Sequence, residues 1–320
     1  GRSGNWGAVV KYQTARQKYG FLLPAEEVQS RWLKAKALYF TNSYDLAADE
    51  LDLIANPSPK ILERMAFYQL NAKQWDKARQ TYEMFFKSLN FSLNPNDEAK
   101  IRTSYALSLL RSPPPNLEDA DLNNFNSINQ SQAHKELAQA LALQNPIQSS
   151  TQISNQISNQ TSPPISTQDP RLRLNILGLL SQASPHPTEY LRERINILSK
   201  KDERIKIKNE DRLDYLLKAQ CQLWVLQPNS DLATDYLKAL TEYLEEDLPP
   251  LSQTALNSVR CLLENLDWQW TDSNRTHFKA ILEKIDKSKA DTFDLPPPVQ
   301  SVLNRIQELR IRMDDLYIRR

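Results

Sequence analysis

Apolar side chains recur along the chain at the three- and four-residue spacing of an amphipathic α-helix. Residues 26–40 place Val28, Trp32, Ala35 and Tyr39 on one face, at i, i+4, i+7 and i+11. This stripe predicts a helix with one side turned towards a protein core. The same periodicity, interrupted by short turns rich in Pro, Asn and Ser, predicts further helices over residues 5–19, 44–55, 59–72, 75–90, 97–111 and 131–144.

A second run of helical patterns begins near residue 171. It predicts helices over residues 172–182, 188–200, 209–227, 232–246, 253–266, 274–285 and 296–320. The segment between the two runs, 144–169, is polar, repeats the word ISNQ and offers too little apolar surface to offset the entropy of ordering. It predicts a flexible linker, with a polar β-aggregating tract as the alternative. We therefore expect an N-terminal helical domain over 1–146 with an insertion at 112–130, a linker over 147–170, and a C-terminal helical-hairpin domain over 171–320.

A four-residue motif, aromatic-Asp-x-Ala, occurs twice in the first run, 31 residues apart. Its copies are Tyr44–Ala47 and Trp75–Ala78. A further alanine, Ala35 or Ala66, lies twelve residues before the alanine of each copy. Small residues at these positions let two paired helices approach closely, and an aspartate suits the first turn of a helix. The spacing therefore predicts two copies of one helix–turn–helix unit.

These residues resemble the tetratricopeptide repeat, a helix–turn–helix unit of 34 residues. The family's aromatic position after the second alanine is matched by Tyr82 and replaced by Leu51, and its closing proline is matched by Pro59 and replaced by Asn90. The shorter repeat and the missing consensus glycine depart from the family pattern. The resemblance implies an all-α fold of stacked antiparallel helical hairpins, an α-solenoid in two helical blocks. An irregular helical bundle with coincidental alanine spacing is the alternative.

Two other parts of the chain carry weaker forms of the pattern. Ala106 takes the place of Ala35 and Ala66 in a third copy, whose second helix over 132–146 follows the insertion. Residues 214–224 and 231–244 resemble one more hairpin. The resemblance is therefore densest over residues 26–146.

Composition excludes several classes of protein. Only one of the five glycines lies beyond residue 20, which leaves too few positive-φ residues for a hairpin-rich β fold and none for a Walker or dinucleotide loop. The formal net charge of +1 provides no global field to attract nucleic acid. No run approaches the roughly 20 apolar residues of a membrane span. We expect no nucleic-acid partner and no membrane span in this chain.

The sequence contains no recognisable catalytic motif. The three histidines are isolated in sequence and lack metal-ligand spacing, and no nucleophile motif occurs. Cys221 and Cys261 lie in apolar helical patterns, which favours two buried thiols, with a disulfide as the alternative. We expect no enzyme activity, no cofactor and no metal. The cysteines leave the compartment open between the cytoplasm and a bacterial periplasm or envelope, and the oligomeric state is equally open.

The resemblance also implies a binding surface. In the tetratricopeptide family the first helix of each pair lines a groove that holds an extended peptide or a partner helix. The matching positions here are Gln29, Trp32, Lys36, Tyr39, Lys60, Glu63, Phe67, Lys100, Thr103 and Arg111. Basic groups interleaved with aromatics suit acidic side chains or a terminal carboxylate. The alternative is that the aromatics form an inter-repeat core and the Lys and Arg side chains a solvated face.

The expected function is a non-catalytic scaffold or adaptor that holds a partner protein or peptide. Two other functions remain open at this stage. In the first, the chain is a helical accessory region of a larger enzyme, such as a cell-wall-processing enzyme or a defence protease. In the second, it is a peptide-sensing regulator.

Overall fold

The computed structural model describes residues 4–112, 119–144, 169–200, 207–228, 230–245 and 261. Within these ranges all regular secondary structure is α-helical, which confirms the predicted all-α class. The chain divides into two compact units, Gly1–Pro185 and His186–Arg320. Each unit is described by itself below.

The described part of the first unit is a series of helices in which each packs against the next. They are α1 (Trp6–Tyr19), α2 (Pro24–Phe40), α3 (Tyr44–Asp52), α4 (Pro59–Asn71), α5 (Trp75–Ser88), α6 (Pro95–Arg111), α7 (Asp119–Leu143) and α8 (Pro170–Ala183). In addition, α4 contacts α6 and α6 contacts α8. Helices α2, α4, α6 and α8 each begin with proline, whose fixed φ and missing N–H suit the first turn.

Alanines allow close packing inside the first two hairpins, α2–α3 and α4–α5. Ala35, Ala47, Ala66 and Ala78 are each fully buried. Larger apolar side chains fill the space around them and form a continuous core of Leu38, Leu51, Ile54, Leu62, Met65, Tyr68 and Phe85, among others. The four alanines that the sequence predicts to face a paired helix are therefore all buried.

The turns that close these two hairpins have the same geometry. Asn42 and Lys73 both adopt the left-handed conformation, with φ of 59° in each. In each turn the following N–H reaches back to a carbonyl five residues earlier: Ser43 N donates to Leu38 O at 2.9 Å, and Gln74 N donates to Gln69 O at 2.9 Å. This is the Schellman ending of a helix, which satisfies carbonyls that the helix leaves free. The second helix of each hairpin then starts at the aromatic of the repeated motif.

Buried carboxylates connect the two helices of several hairpins. Glu50 on α3, which is only 6% exposed, is paired with Arg31 and Lys34 of α2 at 3.0 and 2.7 Å. Glu136 on α7, also 6% exposed, is paired with Arg102 of α6 at 2.5 Å. A buried carboxylate that lost its cationic partners would be an uncompensated charge, at a cost of about 3–5 kcal/mol, so these pairs favour one fit of the two helices.

Two helix bounds differ from the sequence prediction by more than two residues. Helix α3 ends at Asp52 rather than at residue 55, because Leu53 and the bend after it turn the chain towards Pro59. Helix α7 begins at Asp119 rather than at residue 131, so most of the stretch predicted as an insertion is helical. The reason is that residues 116–145 contain neither glycine nor proline to stop a helix.

The described part of the second unit contains three helices, α9 (Pro187–Ser199), α10 (Asn209–Leu226) and α11 (Ser230–Glu245). Helix α10 packs against both α9 and α11. Arg212 of α10, 8% exposed, joins all three, since it donates to Leu198 O at 2.9 Å and to Glu242 Oε1 at 3.0 Å. The α10–α11 pair corresponds to the hairpin predicted from residues 214–224 and 231–244.

Parts of the predicted organisation lie outside the described residues. Residues 147–168 of the predicted linker lie outside the described residues. The helices predicted over 253–266, 274–285 and 296–320 also lie outside them, except for residue 261. The division into 1–146, 147–170 and 171–320 therefore stays a prediction. Helix α8, which opens the second block in that division, contacts α6 and α7 in the first unit.

Cys221 and Cys261 are joined by a disulfide, with their Cα atoms 6.3 Å apart. The preferred sequence interpretation, two buried thiols, is wrong. Both interpretations place a small apolar group in the core, and Cys261 is indeed 6% exposed. Sequence periodicity reports burial but not whether two cysteines 40 residues apart meet.

Candidate partner-binding face

The ten residues implied by the resemblance lie on α2, α4 and α6 and differ in accessibility. The exposed ones are Gln29, Lys36, Lys60, Lys100 and Arg111. The half-buried ones are Trp32, Tyr39, Glu63 and Phe67, and Thr103 is buried. We refer to these ten residues together with Arg64 as the basic-aromatic face.

Aromatic rings form the inner layer of this face. The ring of Tyr39 on α2 stacks on Tyr68 of α4 at a centroid distance of 5.0 Å and lies 5.7 Å from the ring of Phe67. Trp32, Tyr39 and Phe67 also pack against the buried core. Core packing and ligand contact are the two roles that the sequence leaves open for these rings. These half-buried rings pack on the core with one part and keep another part accessible.

Cations lie over two of these rings. Lys60 Nζ is 5.9 Å from the ring centroid of Trp32, and Arg64 Cζ is 5.7 Å from that of Phe67. Such a contact contributes about 0.5–1 kcal/mol at an exposed site and holds the cation near the surface. Arg64 was missed by the sequence reasoning, although its position three residues before Phe67 on one helix was a usable signal.

Glu63 is the acidic member of the face. Burial raises the pKa of Glu63 above its ordinary value, and the nearby Asp97 carboxylate adds to this effect, while Arg64 and Lys60 oppose it. The Glu63 and Arg64 side chains are 3.7 Å apart. Glu63 is the one acidic residue among the eleven residues of the face, five of which are lysine or arginine. The face therefore has a net positive charge.

Helix α6 contributes cations but no free hydroxyl. The Thr103 hydroxyl donates to Ala99 O at 2.6 Å within its own helix, so it is already engaged. Lys100 is half-exposed and 3.9 Å from Asp97, a surface pair of little strength. Arg111 is exposed in the last turn, where a cation also suits the helix dipole.

The aromatic layer continues beyond α2 to the first helix. Trp6 of α1 stacks on Phe40 at a centroid distance of 4.5 Å, and Phe40 meets Tyr39 edge to face at 5.6 Å. Phe40 is 50% exposed. Neither Trp6 nor Phe40 was assigned to the face from the sequence. The adjacency of Phe40 to Tyr39 was the available signal, but the position of α1 could not be read from the chain.

The described ranges offer no metal-binding or membrane-spanning alternative to this face. They contain no group of three or more His, Cys, Asp or Glu side chains that would hold a metal ion. None of the described helices combines the length and hydropathy that a membrane span requires. A shallow pocket of about 420 Å³ lies at the two Schellman turns, lined by residues 42–46 and 71–73, and includes none of the basic-aromatic face.

No protein-family model matches the chain, and no curated protein is significantly similar to it. The tetratricopeptide resemblance therefore depends on the features within this chain. These are the paired alanines, the two equivalent turns and the successive packing of helices.

Proposed function

We propose that this protein is a non-catalytic scaffold or adaptor that holds an acidic segment of a partner protein on the basic-aromatic face. The observation that carries the proposal is the placement of Lys60 over Trp32 and of Arg64 over Phe67. This arrangement places cations that are fixed by ring contacts beside accessible aromatic surface on α2 and α4, the first helices of two consecutive hairpins.

The proposed architecture behind this face is a tetratricopeptide-like solenoid. Contacts between α4 and α6, and between α6 and α8, support it, because they join the first helices of successive hairpins. The two equivalent turns, with Asn42 and Lys73 in the left-handed conformation, support a repeated unit. In such an array the first helices share one side, so that α2, α4 and α6 present a continuous surface.

The chemistry of the face favours an extended peptide that carries carboxylates. Lys36, Lys60, Lys100 and Arg111 are exposed cations spread over three helices. Charge-assisted hydrogen bonds to carboxylates are stronger than neutral ones, and the accessible rings would pack against apolar side chains of the same peptide. A compact anion would contact only one of these cations, whereas an extended chain would reach several.

A peptide array tests this proposal. It contains acidic, neutral and basic peptides of matched length, each with a free and an amidated C-terminus. The full chain should bind the acidic peptides, and Lys36→Glu and Lys100→Glu should each weaken binding about tenfold, the loss expected for one charge-assisted hydrogen bond.

The matched control is Lys87→Glu, which reverses an exposed lysine on α5, outside the face. It should leave binding unchanged, and circular dichroism should give equal helicity for all variants. Equal binding of acidic and basic peptides, or equal loss in Lys87→Glu, would contradict the proposal. Free and amidated termini separate recognition of a terminal carboxylate from recognition of acidic side chains.

A further inference from the structure

Arg194 on α9 differs from the other half-buried arginines of the described ranges. Its Nε atom is buried and has no hydrogen-bond partner. Its guanidinium carbon lies 5.7 Å from the ring centroid of Tyr215 on α10. Arg79 has a buried Nε of the same kind, but its guanidinium is paired with the Glu83 carboxylate at 3.0 Å, and carboxylates also pair with Arg31, Arg102 and Arg212.

This arrangement places a desolvated guanidinium, with one N–H donor that has no acceptor, against an aromatic ring. Burial lowers the pKa of Arg194, although Tyr215 and Asp214 oppose the effect. A guanidinium stays protonated at neutral pH even so. Buried polar groups without a partner are uncommon in folded proteins, and bound waters and ions are among their explanations.

The surroundings of Arg194 are suited to an anion. Asp214 is the carboxylate that acts on Arg194 electrostatically, but it accepts a hydrogen bond from Lys218 Nζ at 2.7 Å. The Asp214 carboxylate is therefore shared with Lys218 and offsets the desolvation of the guanidinium only in part. Tyr215 is 37% exposed, so the Arg194–Tyr215 pair lies next to solvent rather than deep in the core.

We propose that Arg194, stacked on Tyr215, is a receptor for one oxyanion, a carboxylate or a phosphate. The planar guanidinium presents paired N–H donors that match two oxygens of such a group, and the ring behind it keeps the plane in place. The site lies in the second unit and does not depend on the basic-aromatic face of α2, α4 and α6. Failure of either proposal leaves the other standing.

The test uses the full chain and hydrogen–deuterium exchange of α9 and α10. Exchange is compared in chloride, inorganic phosphate and acetate at equal ionic strength. Phosphate, acetate or both should slow exchange in these helices, because a ligand that binds only the folded state stabilises it. Phosphate alone identifies a phosphate receptor, and protection by acetate identifies recognition of carboxylates.

Three variants locate the effect. Arg194→Met removes the donors and should abolish the protection. Arg194→Lys keeps the charge and the stem but not the planar fork, and it should weaken the apparent affinity about tenfold. Arg192→Met is the matched control, since Arg192 lies on the same helix, is exposed and bonds Gln227 at 2.7 Å. It should keep the protection.

Two results overturn the proposal. One is the absence of any slowing of exchange by phosphate or acetate in the wild type. The other is a slowing that persists in Arg194→Met. Because Arg194→Lys retains a cation over the ring, it keeps the test decisive if the methionine variant is poorly folded.

Discussion

Asn42 and Lys73 hold the same backbone conformation at the same place in two consecutive hairpins, with φ of 59° at each. Asparagine adopts this left-handed conformation more readily than other L-residues, whereas lysine has no such preference. The Asn42 side chain also accepts a hydrogen bond from the Tyr44 hydroxyl at 2.9 Å. The turn at Lys73 therefore carries more backbone strain than the equivalent turn at Asn42.

Lys73→Gly should stabilise the protein by up to about 1 kcal/mol. The left-handed conformation costs an L-residue roughly 1–2 kcal/mol, and glycine avoids this cost. The greater conformational entropy of glycine in the unfolded state cancels about 0.4–1 kcal/mol of the gain. Asn42→Gly should gain less or lose stability, since it also removes the bond to Tyr44. Urea unfolding of both variants measures the difference. A destabilised Lys73→Gly would contradict the equivalence of the two turns.

Ala66→Leu should destabilise the first unit by about 1–3 kcal/mol, because added methylenes have no room in a packed helix crossing. Ala66 is fully buried on α4. The matched control is Ala25→Leu, at an exposed position of α2, which should change the unfolding free energy little. Chemical denaturation followed by circular dichroism gives both values, and equal effects of the two substitutions would show that α4 and α5 do not approach closely.

Glu63 gives the first unit a pH-dependent stability. Its pKa is raised in the folded state, chiefly by burial. As the pH rises, the unfolded chain releases this proton first, so the Glu63 contribution to folding stability falls between the ordinary glutamate pKa of about 4.3 and the raised folded value. Glu63→Gln removes this titration. The variant should unfold at higher urea than the wild type at pH 7, and the gap should close near pH 4.

The control for this pH series is Glu189→Gln, which removes an exposed carboxylate on α9. It reports the effect of removing one negative charge alone. A stability gap between wild type and Glu63→Gln that is constant with pH, or that matches the control, would argue against a buried carboxyl group at residue 63.

The disulfide should contribute up to about 4 kcal/mol to the second unit, the chain-entropy value for a closed loop of roughly 40 residues. Cys221→Ser/Cys261→Ser should therefore lower the unfolding free energy and speed hydrogen exchange in α10, which carries Cys221. Mass spectrometry with and without reductant, after alkylation, checks the bond itself. Two freely alkylated cysteines in the unreduced protein would contradict the assignment.

Helix positions were predictable from the sequence because they depend on local periodicity and on start signals. Pro59 and the repeated aromatic-Asp-x-Ala motif mark helix starts that the structure keeps, at Pro59 and at Trp75. The beginning of α7 at Asp119 was not found, since a polar helical turn lacks the apolar stripe on which the prediction relied. The sequence feature that does indicate this helix is the absence of glycine and proline from residues 116–145.

Contacts between distant residues could not be predicted in the same way. The pairing of Arg102 with Glu136, the disulfide and the aromatic stack of Trp6 on Phe40 all join residues more than 30 positions apart. For the basic-aromatic face, the residue positions followed from the resemblance, but the exposure and hydrogen bonding of each side chain did not. The Thr103 hydroxyl is the clearest case, because its bond to Ala99 O depends on a rotamer and not on sequence spacing.

The most direct test of the proposed function is the hydrogen-exchange footprint of an acidic peptide chosen from the array. The full chain is compared with and without saturating peptide. We predict slower exchange in α2, α4 and α6, with α3 and α5 unchanged, and loss of this footprint in Lys36→Glu but not in Lys87→Glu. Protection confined to α3 and α5, or no footprint with any acidic peptide, would contradict the account.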